Sequence, residues 1–214
     1  MSWKRSGGIK QFDGINNLNV NSIVTDDFVM REAYKRGWIT TRDGNISLRR
    51  RGTGTLYITP TGVRKATIIP ETVVRMPIFQ GKLITDEHKA SGELDMHWLL
   101  QKKDRTRCVV HLHPTYIVAA MYAGIDLHEL AEEFPEVHRY TRVGHNVPVL
   151  PAVSNELAVA TYEKMVSDNK LVCDVVGQAQ HGVCAIGKHP WDAFEHIERL
   201  EHICQIAMAS GKHR

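Results

Sequence analysis

A predicted β-hairpin in the first third of the chain constrains the fold, because its two strands must be completed into a β-sheet by later segments. Two β-rich segments, residues 45–50 and 55–59, flank the glycine-containing turn Arg51-Gly52-Thr53-Gly54. Such a pattern predicts a hairpin. Further β-rich segments follow at residues 72–78, 81–84, 107–113, 147–149, 171–176 and 182–186. The chain therefore contains enough strands for one sizeable sheet.

Helices are predicted between and after these strands, at residues 25–36, 91–103, 115–122 and 190–210. The first begins at the capping residue Thr25 and ends at Gly37. The last has one apolar stripe, made of Phe194, Ile197, Leu200, Cys204, Ala207 and Met208. Hairpin strands that alternate with helices indicate an α/β domain with a largely antiparallel or mixed sheet.

Composition narrows the class of protein. The 214 residues fit one domain, and 27 basic against 24 acidic side chains give a formal net charge of only +3. A net charge this small gives no reason to expect a nucleic-acid partner. No apolar run approaches the roughly 20 residues that cross a bilayer, and no apolar stretch follows the charged N-terminus. Four cysteines without a CxxC pair indicate reduced thiols. We therefore predict a cytoplasmic protein that does not bind membranes.

Histidine is distributed unevenly, because none of the 12 histidines precedes His88. The sharpest local feature is His111-Leu112-His113 at the end of a predicted strand. Side chains at i and i+2 point to the same face of a strand, so the two imidazoles form either a metal-binding edge or a pair of hydrogen-bonded surface residues. His181 is the best candidate for a third ligand, since the following Gly182 allows close approach. A turn histidine without a ligand role is the alternative.

Glu93 and two turns complete the set of candidate residues. Glu93 lies in the first turn of a predicted helix, where a carboxylate serves as a general acid or base beside a metal, or only stabilises the helix. A helix N-terminus also offers free N–H groups to an anion. The turns Asp43-Gly44-Asn45 and Pro60-Thr61-Gly62 are either anion-binding nests or simple turns.

Five motifs in order resemble the class II aldolase/adducin family. They are Gly44-Asn45-Ile46-Ser47, Ile58-Thr59-Pro60-Thr61-Gly62, Ser91-Gly92-Glu93 with His97 following, Val109-Val110-His111-Leu112-His113-Pro114 and Gln180-His181-Gly182. Their order and spacing agree with the family over about residues 25–210. The resemblance implies a single α/β domain over residues 1–214, in which a mostly antiparallel central sheet lies between helical layers. Residues 1–22 are expected to be irregular. A cyclic homotetramer with active sites at subunit boundaries is also implied.

The resemblance assigns roles to individual residues. The family's three zinc ligands are matched by His111, His113 and His181, although another divalent transition metal is possible. Glu93 matches the catalytic acid/base of the fuculose-phosphate aldolase branch, and His97 is expected to support the site without binding metal. The substrate phosphate is expected to be held by Asn45, Thr61, Gly62, Ser91, Gly92 and Arg42.

The chain also departs from the family pattern. Gly92 replaces the second serine of the family's SSE motif, so one hydroxyl is lost while the backbone N–H remains. Arg42 replaces a threonine, and it either holds an anion bidentately or is a solvated loop residue. The C-terminal tail lacks the catalytic tyrosine of some members. Tyr140, in a predicted polar loop over residues 136–146 with His138 and His145, is the candidate proton donor to the leaving group, in its own subunit or a neighbouring one.

The implied reaction is zinc-dependent retro-aldol cleavage of a ketose 1-phosphate. Its products would be dihydroxyacetone phosphate and an aldehyde, formed through a metal-stabilised enediolate. Dehydration of a methylthioribulose-1-phosphate-like ketose is the first alternative, and phosphopentose 4-epimerisation is the second. The epimerase branch has aspartate where this chain has Glu93, which favours the aldolase. A non-catalytic adducin-like interaction module is the last alternative, and it would not need three histidines with a glutamate.

Overall fold

The computed structural model describes residues 28–50, 54–84, 90–102 and 108–212. Its centre is an eight-stranded sheet in the order β4-β3-β2-β1-β5-β10-β9-β6. All neighbouring pairs are antiparallel except β6 and β9, which are parallel. A separate two-stranded ribbon pairs β7 with β8. The strands are β1 Asn45–Arg50, β2 Thr55–Ile58, β3 Val74–Phe79, β4 Lys82–Leu83, β5 Cys108–Leu112, β6 Val143–Val147, β7 Val166–Ser167, β8 Lys170–Leu171, β9 Val175–Gln178 and β10 Gly182–Gly187.

Helices cover both faces of the sheet. The described part of α1 spans residues 28–35. The other helices are α2 Leu94–Gln101, α3 Thr115–Tyr122, α4 Leu127–Glu132, α5 Pro135–Tyr140, α6 Asn155–Met165 and α7 Pro190–Ser210. Two short 3-10 turns lie at Lys65–Thr67 and Pro70–Thr72. The predicted start of α1 at Thr25 and the predicted irregular segment 1–22 lie outside the described residues.

Alternation along the strands divides the core into two layers. Val110 and Leu112 of β5 pack in the apolar cluster that includes residues of α1, α3, α4 and α7. Val109 of the same strand packs in a second cluster with residues of α2 and α6. Because side chains alternate with a period of two, His111 also faces the α2 side. The predicted three-layer α/β fold with a mostly antiparallel sheet is confirmed.

The same alternation places polar residues of β1 opposite α2. Ile46 and Leu48 belong to the first apolar cluster, so the intervening Asn45 and Ser47 face the other way. Asn45 is the register partner of His111 on β5. A polar strip therefore runs between the sheet and α2, inside an otherwise apolar core.

Several predicted boundaries were wrong. The helix predicted over 91–103 begins at Leu94, because residues before it form a turn in which Ser91 Oγ accepts a hydrogen bond from the Glu93 N–H. The predicted polar loop over 136–146 contains α5 and β6 instead. Buried Val137 and Val143 anchor these two elements to the core, which outweighs the polar residues around them. The segment predicted as one strand over 171–176 is divided between β8 and β9.

All four cysteines are free, as predicted, and all four are buried. None of the helices in the described ranges combines the length and apolar character that a bilayer-spanning segment requires.

Candidate functional site

Three histidines meet where β5 ends and β10 begins. His111 is the fourth residue of β5, His113 follows the strand, and His181 lies in the tight turn before β10. One nitrogen of each imidazole lies within 4.8 Å of the others. Pairing of β5 with β10, with Val183 opposite Leu112, brings these distant parts of the chain together. The structure therefore groups the three histidines that the sequence singled out.

The protonation of the His111 ring is set by its surroundings. His111 Nδ1 lies 3.1 Å from the Val183 carbonyl oxygen, which only an N–H can approach as a hydrogen-bond partner. In the neutral ring Nε2 then carries a lone pair, and it faces His113 Nε2 at 2.8 Å. Burial, with His181 adding to it, lowers the pKa of both His111 and His113. The rings are therefore neutral at ordinary pH, which is the state that binds a metal ion.

Gly182 leaves the space in which the imidazoles approach. A Cβ at this position would lie 2.5 Å from His113 Cδ2, 2.5 Å from the Leu112 carbonyl oxygen and 3.0 Å from His111 Cε1. The carbonyl oxygen belongs to the β5 backbone and has little freedom to move. Only glycine is compatible with this arrangement, in agreement with the close approach expected from the sequence.

Glu93 places its carboxylate beside the histidines. Its Oε2 lies 3.3 Å from His111 Nε2, and its Oε1 lies 3.7 Å from His181 Nε2. Asn45 Nδ2 donates a hydrogen bond of 2.6 Å to Oε2. Within the described residues, Oε1 is buried and has no hydrogen-bond partner. One carboxylate oxygen is therefore held while the other is free for chemistry.

A chain of buried hydrogen bonds leads to the Asn45 side chain from residues of β1 and α2. Gln101 Nε2 donates to Ser47 Oγ at 2.5 Å, and Ser47 Oγ donates to His97 Nδ1 at 2.6 Å. His97 Nε2 then donates to Asn45 Oδ1. This sequence of donors requires a neutral His97, and burial lowers its pKa to about 4. His97 therefore supports the site indirectly, through Asn45, in agreement with the supporting role expected for it.

The predicted phosphate residues line one cavity with the histidines. The cavity of about 350 Å³ is bordered by His113, His181 and Glu93 at one side, and by the predicted anion-binding residues Arg42, Asn45, Thr61, Gly62, Ser91 and Gly92. Ala152 and Val153 form part of its wall. The Asn45 side chain already hydrogen-bonds to Glu93 and His97. Only the second N–H of Nδ2 is therefore left to donate a hydrogen bond to an anion.

Lys65 also borders this cavity, and sequence reasoning missed it. Its side chain is 2% exposed, and its Nζ donates to the carbonyl oxygens of Arg42 at 3.0 Å and Val63 at 3.4 Å. Burial lowers the pKa of this ammonium group, while nearby Asp43 acts in the opposite direction. Lys65 thus ties together the two loops that carry the predicted anion-binding residues. Its position three residues after Gly62 was the available sequence signal.

Tyr140 is not brought to this cavity within the chain. It ends α5, is 49% exposed, and the guanidinium groups of Arg139 and Arg199 lie 5.4 Å from its ring centroid. The nearby His138 and His145 pair with Glu132 and Asp126. A catalytic role for Tyr140 therefore requires a neighbouring subunit.

The donor set fits a divalent transition metal. Three imidazoles with a carboxylate alongside are the ligand types of catalytic zinc sites, which keep a position open for substrate. The Glu93 carboxylate lies within 4 Å of two of these imidazoles, with Oε2 near His111 Nε2 and Oε1 near His181 Nε2. The residues do not distinguish zinc from other divalent transition metals that favour imidazole.

Comparison with known proteins extends these observations. A 5-deoxy-D-ribulose 1-phosphate aldolase from Bacillus thuringiensis serovar kurstaki is 29% identical over 167 residues, which cover 76% of this chain and 73% of the relative. An L-ribulose-5-phosphate 4-epimerase from Salmonella paratyphi B is 26% identical over 80% of this chain and 77% of its own. A probable bifunctional methylthioribose-1-phosphate isomerase/methylthioribulose-1-phosphate dehydratase from Nocardia farcinica is 24% identical over 85% of this chain, which spans only 34% of that relative.

Solved structures show the same fold. The L-fuculose-1-phosphate aldolase of Thermus thermophilus superposes with a TM-score of 0.72 at 24% identity, covering 88% of this chain and 93% of that one. The family model described as "Class II Aldolase and Adducin N-terminal domain" matches residues 29–208. That range includes every motif on which the resemblance rests, and the chain belongs to the class II aldolase and adducin N-terminal domain family.

Proposed function

We propose that the protein is a metal-dependent lyase that cleaves a ketose 1-phosphate by a retro-aldol reaction, giving dihydroxyacetone phosphate and an aldehyde. The observation that carries this proposal is the position of Glu93. Its Oε1, which has no hydrogen-bond partner among the described residues, lies 3.7 Å from His181 Nε2, and Glu93 borders the cavity that the predicted anion-binding residues line. A proton-transfer group, a Lewis-acid site and an anion site therefore share one cavity.

His111, His113 and His181 would hold the metal, which we propose to be zinc. Such an ion supplies Lewis-acid polarisation of the substrate carbonyl. The hydrogen bond from His111 Nδ1 to the Val183 carbonyl oxygen fixes the ring so that Nε2 lies beside His113 Nε2. Gly182 keeps the three rings close enough to act on one ion.

Glu93 is assigned the proton transfer at C3. In the cleavage direction the bond between C3 and C4 breaks, the C4 hydroxyl loses its proton as the aldehyde forms, and C3 gains a proton. Asn45 restrains Oε2, so Oε1 is the oxygen that exchanges this proton. Tyr140, supplied by a neighbouring subunit of the homotetramer that we propose, remains the predicted partner of the C4 oxygen: its hydroxyl would donate a proton to the aldehyde oxygen in the aldol direction, and in cleavage its phenolate oxygen would take the C4 hydroxyl proton.

The phosphate is placed at the loop side of the cavity. Ser91 and Thr61 offer hydroxyl groups, and Gly62 and Gly92 offer backbone N–H groups without a side chain in the way. Arg42 adds a guanidinium that can hold two phosphate oxygens. Fixing the phosphate would position the reacting carbons at Glu93. We also propose a cytoplasmic location, in agreement with the reduced, buried cysteines.

Dehydration and epimerisation are the competing reactions on the same site. Relatives named as a dehydratase and as an epimerase match this chain about as broadly as the aldolase does. Glu93, rather than aspartate, favours the aldolase over the epimerase. The dehydratase would use the same histidines and carboxylate, and product analysis separates the two.

Phosphorus NMR of the zinc-loaded protein tests the proposal. The substrates are the 1-phosphates of fuculose, 5-deoxyribulose and methylthioribulose, with ribulose 5-phosphate as the epimerase probe. Growth of a dihydroxyacetone phosphate signal is the expected result, and the substrate peak that shrinks identifies the ketose. Consumption of a substrate without that product would replace the aldolase with a dehydratase or an epimerase. Zinc-loaded protein that consumes none of the four would contradict the proposed activity on these ketoses.

A further inference from the structure

Val153 has a backbone conformation that a valine rarely adopts. Its φ angle is +60°, in the left-handed region where a branched Cβ is crowded. It lies immediately before Ser154, whose Oγ caps α6 by accepting a hydrogen bond of 3.1 Å from the Leu157 N–H. The strained residue therefore directly precedes the cap of α6. Strain of this kind concentrates at functional sites, and Val153 borders the cavity that His113 and His181 also line.

The Val153 side chain occupies the space beside Gly92. A Cβ built on Gly92 would lie 2.7 Å from Val153 Cγ1, closer than non-bonded carbons can approach. The same Cβ would lie 3.9 Å from Val153 Cβ, which is an ordinary contact. A side chain at position 92 would therefore require the γ branch of Val153 to shift or to be removed. Position 92 is also where the motif resembled by Ser91-Gly92-Glu93 has its second serine.

We propose that Val153 is a specificity-determining residue of this cavity, acting as one steric unit with Gly92. Its isopropyl group takes the space that a serine side chain at position 92 would need. Hydrocarbon therefore lies where the hydroxyl of that serine, the neighbour of Ser91 in the chain, would otherwise be. The phosphate side of the cavity consequently has one hydrogen-bond donor fewer. Exchanging both residues, as Gly92→Ser with Val153→Gly, would restore the donor. The inference rests on the proposed function only in taking the cavity's anion to be a phosphate.

The test compares five proteins: the wild type, Gly92→Ser, Val153→Gly, the double variant Gly92→Ser/Val153→Gly, and Gly92→Ser/Val153→Ala. Two readouts are used, and neither needs turnover. Thermal unfolding measures the steric coupling, and titration calorimetry with inorganic phosphate measures the anion site. The Gly92→Ser/Val153→Ala variant removes the γ branch without giving residue 153 the backbone freedom of glycine. It therefore distinguishes relief of the steric clash from relief of the backbone strain at position 153.

Gly92→Ser alone should lower the melting temperature, and either change at Val153 should remove most of that loss. The Gly92→Ser/Val153→Gly protein should bind phosphate about tenfold more tightly than Val153→Gly, as expected for one added hydrogen bond to a charged group. Additive changes in melting temperature would overturn the proposal. So would equal phosphate affinities, or no phosphate binding in any of the five proteins. A failed cleavage assay with the coupling and the affinity gain intact would instead count against the lyase activity alone.

Discussion

Asn45 joins the first strand of the sheet to the start of helix α2 through a 2.6 Å hydrogen bond to Glu93 Oε2. The same amide accepts a hydrogen bond from His97. Both ends of the Asn45 side chain are therefore engaged, and they leave Glu93 with one restrained oxygen and one free oxygen. A carboxylate held in this way has a defined direction in which to transfer a proton.

Replacing Glu93 with glutamine should abolish turnover and preserve metal binding. The amide has nearly the same shape but cannot exchange a proton, and the three histidines are unchanged. We expect a rate loss of about 10²- to 10⁴-fold, measured on the substrate identified by phosphorus NMR, with metal content measured by elemental analysis. Activity close to the wild type would disprove the role of Glu93 as the acid/base.

Removal of a single histidine ligand should remove the metal. His111→Ala and His181→Ala each delete one of three nitrogens that lie within 4.8 Å of one another. Metal content after dialysis against a low concentration of chelator is expected to fall to background in both variants. His202→Ala is the matched control, because His202 is an exposed residue of α7 outside the cavity. Retention of metal by His181→Ala would reduce the site to the two histidines around β5.

The buried His97 predicts a specific loss of stability in acid. Its pKa falls from 6.5 to about 4 on burial, so the unfolded chain binds this proton at a higher pH than the folded chain does. Stability therefore declines as the pH falls from about 6.5 to about 4, and the maximal contribution of one such group is about 3 kcal/mol. Urea unfolding of the metal-free protein at several pH values measures this decline.

His97→Gln is the comparison variant for the acid effect. Glutamine keeps polar contacts in the network but does not titrate, so its stability should depend less steeply on pH between 6.5 and 4. Parallel curves for the wild type and the variant would show that His97 is not the group responsible.

Gly182→Ala should weaken metal binding and the fold together. The added Cβ meets both the Leu112 carbonyl oxygen and the His113 ring at 2.5 Å, and overpacking of this kind costs about 1–3 kcal/mol. Displacement of the His113 ring should also lower metal affinity, which competition with a fluorescent chelator would measure. A lower melting temperature with unchanged metal affinity would limit Gly182 to a packing role.

Local rules indicated His111 and His113 as a candidate pair, whereas the set of three histidines was predicted from the resemblance to the family. The i, i+2 spacing of His111 and His113 places both at one strand end, and Gly182 marks a site of close approach. By contrast, the network behind Asn45 depends on which face of β1 meets α2. That choice follows from sheet order, which periodicity alone does not determine.

Other parts of the site could not be inferred from local patterns. Lys65 is a charged residue that tertiary structure buries against backbone carbonyls, contrary to the usual exposure of lysine. Val153 occupies a conformation that its residue type disfavours, so no propensity would indicate it. The predicted loop over 136–146 was wrong because a few buried valines, rather than the polar majority, determine that segment.

The central position of β5, between β1 and β10, has a consequence for how the protein folds. His111 and His113 are neighbours in any conformation, but His181 and Glu93 join them only after strands far apart in sequence have paired. The unfolded chain keeps only the imidazoles of His111 and His113 close together. The folded chain groups them with the imidazole of His181, so that all three could bind one ion. Binding to the complete set would thus favour the folded state by linkage, and metal in the medium should slow global unfolding even in a variant that lacks the Glu93 carboxylate.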